Sequence, residues 1–456
     1  MLFNQYLFIA FFAAVAAGNF ALRRFPLAQK LLLIAASFVF FLSWGGADVL
    51  LFAAMLAANY PIACAIHAAA GRRRATLAAV AVAGNLAVLA YFKYSNFFIG
   101  AVVGALLPPA AVWAPLGLSF YVFHLLSYHV DVHRRLCAPG AFIDYVAYLS
   151  FFPHLIAGPI VRCAQLMPQF AAPPSAGRFD WAAGVQLFAI GFFLKCAADL
   201  IGAATDADWT SQGVVRLSSA DAWATAVLFS CRIFGDFAGY SYMALGMARM
   251  LGYALPVNFN APYLAASFRE FWQRWHITLS RFLRDYLYVL ALGGNRSGWL
   301  RTQLNTLLTM LLGGLWHGAN WTFVAWGGLH GLALVVERWL GFDRPAARSW
   351  ILRAAWFVVV QLTVVLAWVL FRSPDLQTAS VMLHKMVLFA DWRPLDALHR
   401  DALVLVLPVA GYHLARLAGE RGLRLHPNAA GALSACLLAF GLVLLTRPTT
   451  FLYFEF

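Results

Sequence analysis

The sequence predicts an all-α, polytopic integral membrane protein in which residues 1–456 form a single membrane-embedded domain. Hydrophobic residues make up 62% of the 456-residue chain and charged residues only 11%, whereas soluble domains carry about 25% charged residues. The chain therefore has too little charge to cover a water-facing surface of its size. This excludes a soluble enzyme, a disordered protein and a disulfide scaffold.

The apolar residues form long runs and do not alternate with polar residues as the strands of a membrane barrel require. We expect about ten or more membrane helices. Several runs are shorter than the roughly 20 residues that cross a bilayer, so some are predicted to be re-entrant or broken segments surrounded by protein. The runs lie near residues 7–17, 31–43, 49–70, 141–160, 182–203, 222–250, 302–316, 319–341, 350–371, 401–418 and 430–446.

The positive charge is expected to mark the cytoplasmic side. The chain has 33 Lys and Arg against 19 Asp and Glu, a net charge of +14. In a membrane protein this excess indicates basic cytoplasmic loops, and no nucleic-acid partner is expected. The first cations, Arg23 and Arg24, follow the first apolar run, so this run is not a signal peptide. With the N-terminus outside, the basic stretches 23–30, 72–74 and 133–135 all fall inside.

Polar residues inside apolar segments carry the functional information, because a charge in the membrane needs a partner or a purpose. The segment Ser267–Tyr286 combines aromatic residues with charges, and helical spacing places Glu270 near Arg274 and Arg281 near Asp285. We interpret it as one amphipathic helix. Such a helix lies either on the membrane surface or around a polar cavity.

A second segment, Leu312–Trp321, places His317 among Leu, Trp and Gly residues. The glycines Gly313, Gly314 and Gly318 allow other groups to approach the backbone closely. Since an imidazole accepts a proton near neutral pH, His317 is a candidate general base in a dry site. The alternative is a hydrogen-bonded core histidine.

Two further segments interrupt the apolar pattern. Pro153, Gly158 and Pro159 are predicted to break any helix there, which exposes backbone groups to a cavity or to neighbouring protein. Asp236 stands among aromatic residues. Its carboxylate is a candidate for hydrogen bonding to a substrate, and the alternative is a structural cap or ion pair.

A group of histidines near residue 130 raises the question of a metal. His129 and His133 are four residues apart and therefore share a helix face, together with nearby His124 and Asp131. A solvated interfacial cluster is the favoured interpretation, because no further Cys or His completes a tetrahedral set. No bound metal is expected, and the chain has no P-loop, no dinucleotide fingerprint and no GxSxG elbow.

Taken in order, these segments resemble the membrane-bound O-acyltransferase superfamily, and within it the branch that acetylates bacterial polysaccharides such as alginate. The resemblance implies a ring of helices around a central tunnel. The acyl donor enters this tunnel from the cytoplasmic side and the acceptor from the outer side. The motifs that carry the resemblance include Phe152-Pro-His-Leu-Ile-Ala-Gly-Pro159, Asp236-Phe237, Glu270-Phe-Trp272, Arg274-Trp-His-Ile277, Leu283-Arg-Asp-Tyr286 and Gly314-Leu-Trp-His-Gly-Ala-Asn320.

The resemblance also implies roles for particular residues. His317 corresponds to the catalytic histidine of the family, and His276 to the second polar residue of the site, which orients the substrate or supports developing charge. Arginines of the cation-rich segment are expected to bind the phosphates of the donor. The residues expected to contact substrates are Trp275, Trp316, Asn320, Asp236, Arg274 and Arg284.

The implied reaction is the transfer of acetyl from cytoplasmic acetyl-CoA for O-acetylation of an exported polysaccharide, with no bound cofactor. Its partners are then acetyl-CoA, the polysaccharide acceptor and a periplasmic acetylation protein, and its location is the bacterial inner membrane. Peptidoglycan O-acetylation and teichoic-acid D-alanylation remain alternatives within the family. A polytopic transporter is the alternative from another class, although the repeat symmetry typical of transporters is not visible in the sequence.

Overall fold

The computed structural model describes residues 1–99, 112–113, 115–172, 178–296, 298–343, 349–423, 426–445 and 452. All regular elements within these ranges are helices. The chain divides into two compact units, Met1–Ile190 with Tyr240–Pro256, and Gly191–Gly239 with Val257–Phe456. Two of the three boundaries fall inside the continuous helices Trp181–Thr205 and Ser219–Met250. The predicted single domain stays a prediction.

Among the described residues, nine α-helices lie wholly in the first unit. They are α1 (Tyr6–Ala21), α2 (Pro26–Leu42), α3 (Gly46–Ala68), α4 (Gly71–Leu89), α5 (Ser95–Phe98), α6 (Leu118–His133), α7 (Phe142–Ser150), α8 (Phe152–Leu155) and α9 (Cys163–Ala171).

The remaining helices belong wholly or partly to the second unit. They are α10 (Trp181–Thr205), α11 (Ser211–Arg216), α12 (Ser219–Met250), α13 (Phe268–Arg274), α14 (Ile277–Phe282), α15 (Trp299–His317), α16 (Trp321–Leu340), α17 (Trp350–Arg372), α18 (Leu376–Leu388), α19 (Ala397–Ala402), α20 (Leu407–Glu420) and α21 (Pro427–Leu444). A π-helical stretch, Leu283–Ala291, continues α14.

The helices confirm the predicted all-helical, multi-pass membrane protein. Large apolar side chains such as Leu50, Trp350 and Val443 are about three-quarters exposed, which suits a surface in contact with lipid. Seven helical stretches of described residues are long and apolar enough to cross a membrane. They are Tyr6–Arg24, Gly46–Ala68, Gly71–Phe98, Trp181–Trp209, Trp350–Arg372, Ala397–Glu420 and Pro427–Leu444.

The predicted break in the apolar segment 141–160 is present. Helix α7 ends at Ser150, and the short α8 ends at Leu155. A Cβ added to Gly158 would collide with the backbone of His154, so only glycine allows the chain to pass here. This stretch is buried in the first unit, which is where non-helical backbone is tolerated in a membrane protein.

Helices α15 and α16 form a tight hairpin in the second unit, joined by Gly318–Asn320. Their backbones meet at Gly314 and Gly327. A Cβ on Gly314 would overlap the carbonyl oxygen of Phe323, and one on Gly327 would overlap that of Met310. The glycine pair therefore sets the distance between the helices. Since His317 is the last residue of α15, the same packing also sets its position.

The charge pattern makes a prediction about membrane topology that cysteine labelling tests. We expect Ala47→Cys to react with a membrane-impermeant thiol reagent added to intact cells, and Arg73→Cys to react only after the cells are opened. Both positions are exposed in the fold, so a difference in their reactivity reports the side of the membrane and not burial. The six native cysteines are replaced first. Reaction of position 73 in intact cells would reverse the predicted orientation.

Candidate active site

His317 lies in a cage of aromatic rings in the second unit. Its ring centroid is 4.9 Å from that of Trp316, 5.0 Å from that of Trp326 and 5.3 Å from that of Phe371. The side chain is buried. The cage keeps bulk water away from the imidazole, as a reaction that must avoid hydrolysis requires.

The helix that carries His317 favours a positive charge on this side chain. His317 is the C-terminal residue of α15, a helix of 19 residues. The aligned peptide dipoles leave partial negative charge at this end, which stabilises a nearby cation by about 0.3–1 kcal/mol, and by about 2 kcal/mol in partly buried sites. An imidazolium formed when His317 accepts a proton therefore gains from its place in the fold.

The predicted single helix over Ser267–Tyr286 is broken at His276. Helix α13 ends at Arg274, α14 begins at Ile277, and His276 between them has a φ of 40°, in the left-handed region. Neither glycine nor proline marks this break. The break is held from outside the segment, because the Ile277 N–H donates to the Asn258 carbonyl at 2.9 Å.

The imidazole of His276 has one partner and one open nitrogen. Nδ1 lies 3.0 Å from Oδ1 of Asn258, whereas Nε2 is buried and has no hydrogen-bond partner among the described residues. His276 lies outside the helices that are long enough to span a membrane, and burial lowers its pKa to about 3. The imidazole is therefore neutral at physiological pH.

Trp316 brings the two histidines into one site. Its ring contacts that of His317, and its centroid is also 6.3 Å from that of His276. Phe237 packs edge-on against His276 with centroids 4.5 Å apart. The predicted pairing of His276 and His317 across neighbouring elements is consistent with this arrangement.

Trp275 and Asn320 were also predicted to contact substrates, and both are held in place by contacts within the second unit. The ring of Trp275 is fully buried and lies 4.8 Å from that of Trp368. Asn320 caps α16, since its Oδ1 accepts from the Thr322 N–H and its Nδ2 donates to the Pro374 carbonyl at 2.7 Å. This cap holds the tip of the α15–α16 hairpin.

His330 lies further along α16. It is fully buried between Trp272 and Trp326, with ring centroids 5.1 and 4.9 Å away. Trp326 thus lies between His330 and His317.

Asp236 forms the ion pair that was the alternative to substrate binding. Its Oδ1 lies 2.7 Å from Nζ of Lys195, which also contacts Asp199 at 2.5 Å. The other carboxylate oxygen of Asp236 accepts from the Leu452 N–H. Sequence reasoning missed Lys195, although a lysine within a long apolar stretch is itself a signal.

A basic pocket of about 950 Å³ opens in the second unit. The side chains of Arg269, Arg284 and Arg338 line it. Two carboxylates also line it: Glu337 accepts hydrogen bonds from the Phe268 and Arg269 N–H groups, and Asp343 lies 3.9 Å from the guanidinium of Arg269. The guanidinium groups give the pocket its cationic character.

A smaller cavity of about 180 Å³ adjoins the basic pocket. The two share Arg284, Tyr288, Leu334 and Arg338 as lining residues, and the smaller one also reaches Trp272. The ring of Trp272 lies 5.7 Å from that of Trp326, which packs on His317. A series of neighbouring groups thus leads from the arginines to the catalytic candidate.

Of the arginines in the cation-rich segment that were expected to bind the donor, Arg269 and Arg284 line this pocket. Arg284 is exposed and pairs with Asp285 at 2.7 Å, and the predicted proximity of Arg281 to Asp285 stays a prediction. Arg274 does not line either cavity. It pairs with Glu270 at 2.8 Å, as predicted, and with Glu420 at 3.1 Å.

The histidines considered as metal ligands are hydrogen-bonded in the first unit. Nε2 of His129 lies 2.7 Å from Oδ1 of Asn59, and Nε2 of His124 accepts from the Val161 N–H. Both side chains are fully buried, so the interpretation as a solvated interfacial cluster is wrong for these two histidines.

Within the described ranges, one group of three side chains has the spacing of metal ligands: Asp221, Asp396 and His399. However, the two nitrogens of His399 lie 2.8 Å from Asp396 and 2.9 Å from Asp208. Ion pairing and hydrogen bonding therefore account for this cluster, which sequence reasoning missed because its members are far apart in the chain.

Comparison with known proteins agrees with this architecture. The model of the membrane-bound O-acyltransferase family matches residues 121–372. The chain is 40% identical over 417 residues to the Pseudomonas aeruginosa protein named "Probable alginate O-acetylase AlgI", covering 88% of this chain and 78% of the relative. This chain therefore belongs to the membrane-bound O-acyltransferase family. It is an O-acyltransferase, and the transporter alternative is set aside.

Two other relatives differ in the substrates that their names give. The chain is 35% identical over 430 residues to the peptidoglycan O-acetyltransferase of Helicobacter pylori, covering 85% of this chain and 80% of the relative. It is 26% identical over 237 residues to the teichoic acid D-alanyltransferase of Streptococcus thermophilus, covering 49% of this chain and 57% of the relative.

Proposed function

We propose that this enzyme transfers acetyl from cytoplasmic acetyl-CoA to a hydroxyl of an exported polysaccharide at a bacterial inner membrane, together with a periplasmic acetylation protein. The observation that carries the proposal is the arginine-lined pocket, which adjoins a smaller cavity that reaches Trp272, while the ring of Trp272 packs on Trp326 of the cage around His317. The pocket suits an anionic head group, and the cage suits a reaction that excludes water.

The pocket chemistry supports a coenzyme A thioester as the donor. Arginine forks bind phosphate oxygens through charge-assisted hydrogen bonds, which are stronger than neutral ones. Arg269, Arg284 and Arg338 offer three such groups around one cavity. The uncharged side chains of the smaller cavity, including Thr306, Thr309 and Met310, suit the thin, weakly polar pantetheine arm.

At the aromatic cage, His317 removes the proton from the acceptor hydroxyl as the hydroxyl oxygen attacks the thioester carbonyl carbon. The new C–O bond forms and the C–S bond breaks. The proton held by His317 then passes to the departing thiolate. The helix end at His317 favours the intermediate imidazolium, while His276 stays neutral and orients the acceptor.

The relatives support acetyl as the acyl group and a bacterial polysaccharide as the final acceptor. The P. aeruginosa relative is named for alginate. Its identity to this chain is 40%, against 26% for the teichoic-acid relative, and it matches a larger share of the chain. Peptidoglycan O-acetylation is the second candidate, because the H. pylori relative also covers most of this chain.

The donor proposal is tested with purified enzyme and radiolabelled acetyl-CoA. We expect Arg284→Gln to raise the apparent KM for acetyl-CoA about tenfold, because one charge-assisted hydrogen bond is lost. We expect Arg284→Lys to keep part of the affinity. Arg281→Gln is the matched control, since Arg281 lies on the same segment but lines neither cavity.

Two results would contradict the proposal. The first is an unchanged KM for acetyl-CoA in Arg284→Gln together with a weaker response to the acceptor. The second is an equal loss in Arg284→Gln and Arg281→Gln, which would indicate that both arginines only anchor the segment. Failure of the wild-type enzyme to consume acetyl-CoA would exclude this donor altogether.

A further inference from the structure

We infer that Asn258 is a positioning residue that holds His276 with its hydrogen on Nδ1, so that His276 faces the acyl acceptor with a lone pair on Nε2. The inference rests on the proposed function, since it gives His276 a defined role in the same site. It assigns a role to a residue in the loop before α13, which no sequence motif singled out.

The orientation of the Asn258 amide follows from its neighbours. The Thr278 N–H donates to Oδ1 of Asn258 at 3.2 Å, and the Thr278 hydroxyl donates to the same atom at 2.9 Å. A backbone N–H only donates, so the amide atom that faces it is the oxygen. Nδ1 of His276 lies 3.0 Å from this oxygen and must therefore be the donor.

The backbone holds this arrangement in place. The Ile277 N–H donates to the Asn258 carbonyl at 2.9 Å, and the Asn260 N–H donates to the Arg274 carbonyl at 2.9 Å. The loop 258–260 is thus bonded to the chain on both sides of His276. These bonds stabilise the left-handed conformation of His276, which is unfavourable for a residue other than glycine.

The tautomer decides what His276 does in the reaction. A neutral imidazole with hydrogen on Nδ1 carries a lone pair on Nε2, which accepts hydrogen bonds and does not donate them. His276 therefore orients the acceptor and does not donate to the developing oxyanion. Because His317 takes the proton of the attacking hydroxyl, Nε2 of His276 receives its hydrogen bond from another donor of the acceptor, such as a neighbouring hydroxyl.

Substitution of Asn258 tests the positioning role by activity. We expect Asn258→Ala to lower kcat at least about tenfold without changing the KM for acetyl-CoA, because the imidazole loses its anchor but the donor pocket is untouched. Asn258→Asp should restore part of the rate, since a carboxylate also accepts from Nδ1.

A packing role for Asn258 makes the opposite prediction. Asn258→Asp would then be no more active than Asn258→Ala, and this result would overturn the inference.

A spectroscopic measurement tests the tautomer without any activity. The protein is labelled with 15N-histidine, and the signals of His276 are identified by their loss in His276→Gln. We expect Nδ1 to be protonated and Nε2 to be bare, and a protonated Nε2 would overturn the inference. A wild-type enzyme that ignores acetyl-CoA but shows protonated Nδ1 would refute the proposed donor and support the assignment of Asn258.

Discussion

Replacing His317 by alanine should reduce acyl transfer by about 10²–10⁴-fold, because the reaction loses the group that takes the proton of the acceptor hydroxyl. The protein should still fold and insert, since His317 lies at the end of α15 and the hairpin is held by its glycines and by the Asn320 cap. Ester-linked acetyl in the polysaccharide of complemented cells measures the loss, and immunoblotting of membranes measures the protein.

His384→Ala is the matched control for this experiment. His384 lies exposed on α18 in the same unit, so its removal should leave acetylation unchanged. His276→Ala is expected to lower activity by a smaller factor, because water replaces part of an orienting hydrogen bond. Near-normal acetylation with His317→Ala would refute the assignment of this residue as the base.

The second large effect is expected from a single methyl group at Gly327. In Gly327→Ala the new Cβ meets the carbonyl oxygen of Met310 on the facing helix, and neither backbone has room to move aside. Forcing atoms into a packed interface typically costs about 1–3 kcal/mol and sometimes more. We expect a lower thermal unfolding midpoint in detergent, and lower activity because separation of the helices displaces His317.

The neighbouring glycine supplies the control. A Cβ on Gly328 would meet only a methyl group of Leu311 at 3.4 Å, an ordinary contact. Gly328→Ala introduces the same atoms one position along the same helix, and it should leave the midpoint and the activity close to wild type. Equal midpoints for the two variants would show that the close approach of α15 and α16 is not what stabilises the hairpin.

The long helices could be predicted from the sequence because membrane insertion depends on local composition. Residues 350–371 were expected to form a span and the helix is Trp350–Arg372; residues 182–203 correspond to Trp181–Thr205. The interruption near Pro153 was also predictable, since proline lacks the backbone N–H that a helix needs. Each of these features is determined within a few residues of chain.

Features that depend on distant residues could not be predicted in this way. The break at His276 lies between Trp275 and Ile277, where helical spacing favours a continuous helix, and it exists because Asn258 bonds to the backbone there.

The sequence identified some residues of the candidate site by their type, but it did not identify the residues that they contact. Asp236 stood out as a charge among aromatic residues, yet nothing near it in the chain identified Lys195 as its counter-ion. Similarly, the histidine of the Arg-Trp-His motif stood out, but its hydrogen-bond acceptor lies in a loop without a distinctive pattern. Tertiary contacts determine such partners, and a single sequence does not reveal them.

The hydrogen bond from the Leu452 N–H to the buried carboxylate of Asp236 affects how this protein is best handled in the laboratory. Reporter fusions at truncation points between residues 237 and 451 remove Leu452 and leave the buried Lys195–Asp236 pair without one of its donors. A buried ion pair that loses a hydrogen-bond partner is destabilised. Truncated fusions would therefore report on a weakened chain, and full-length protein with internal labels is the sounder choice.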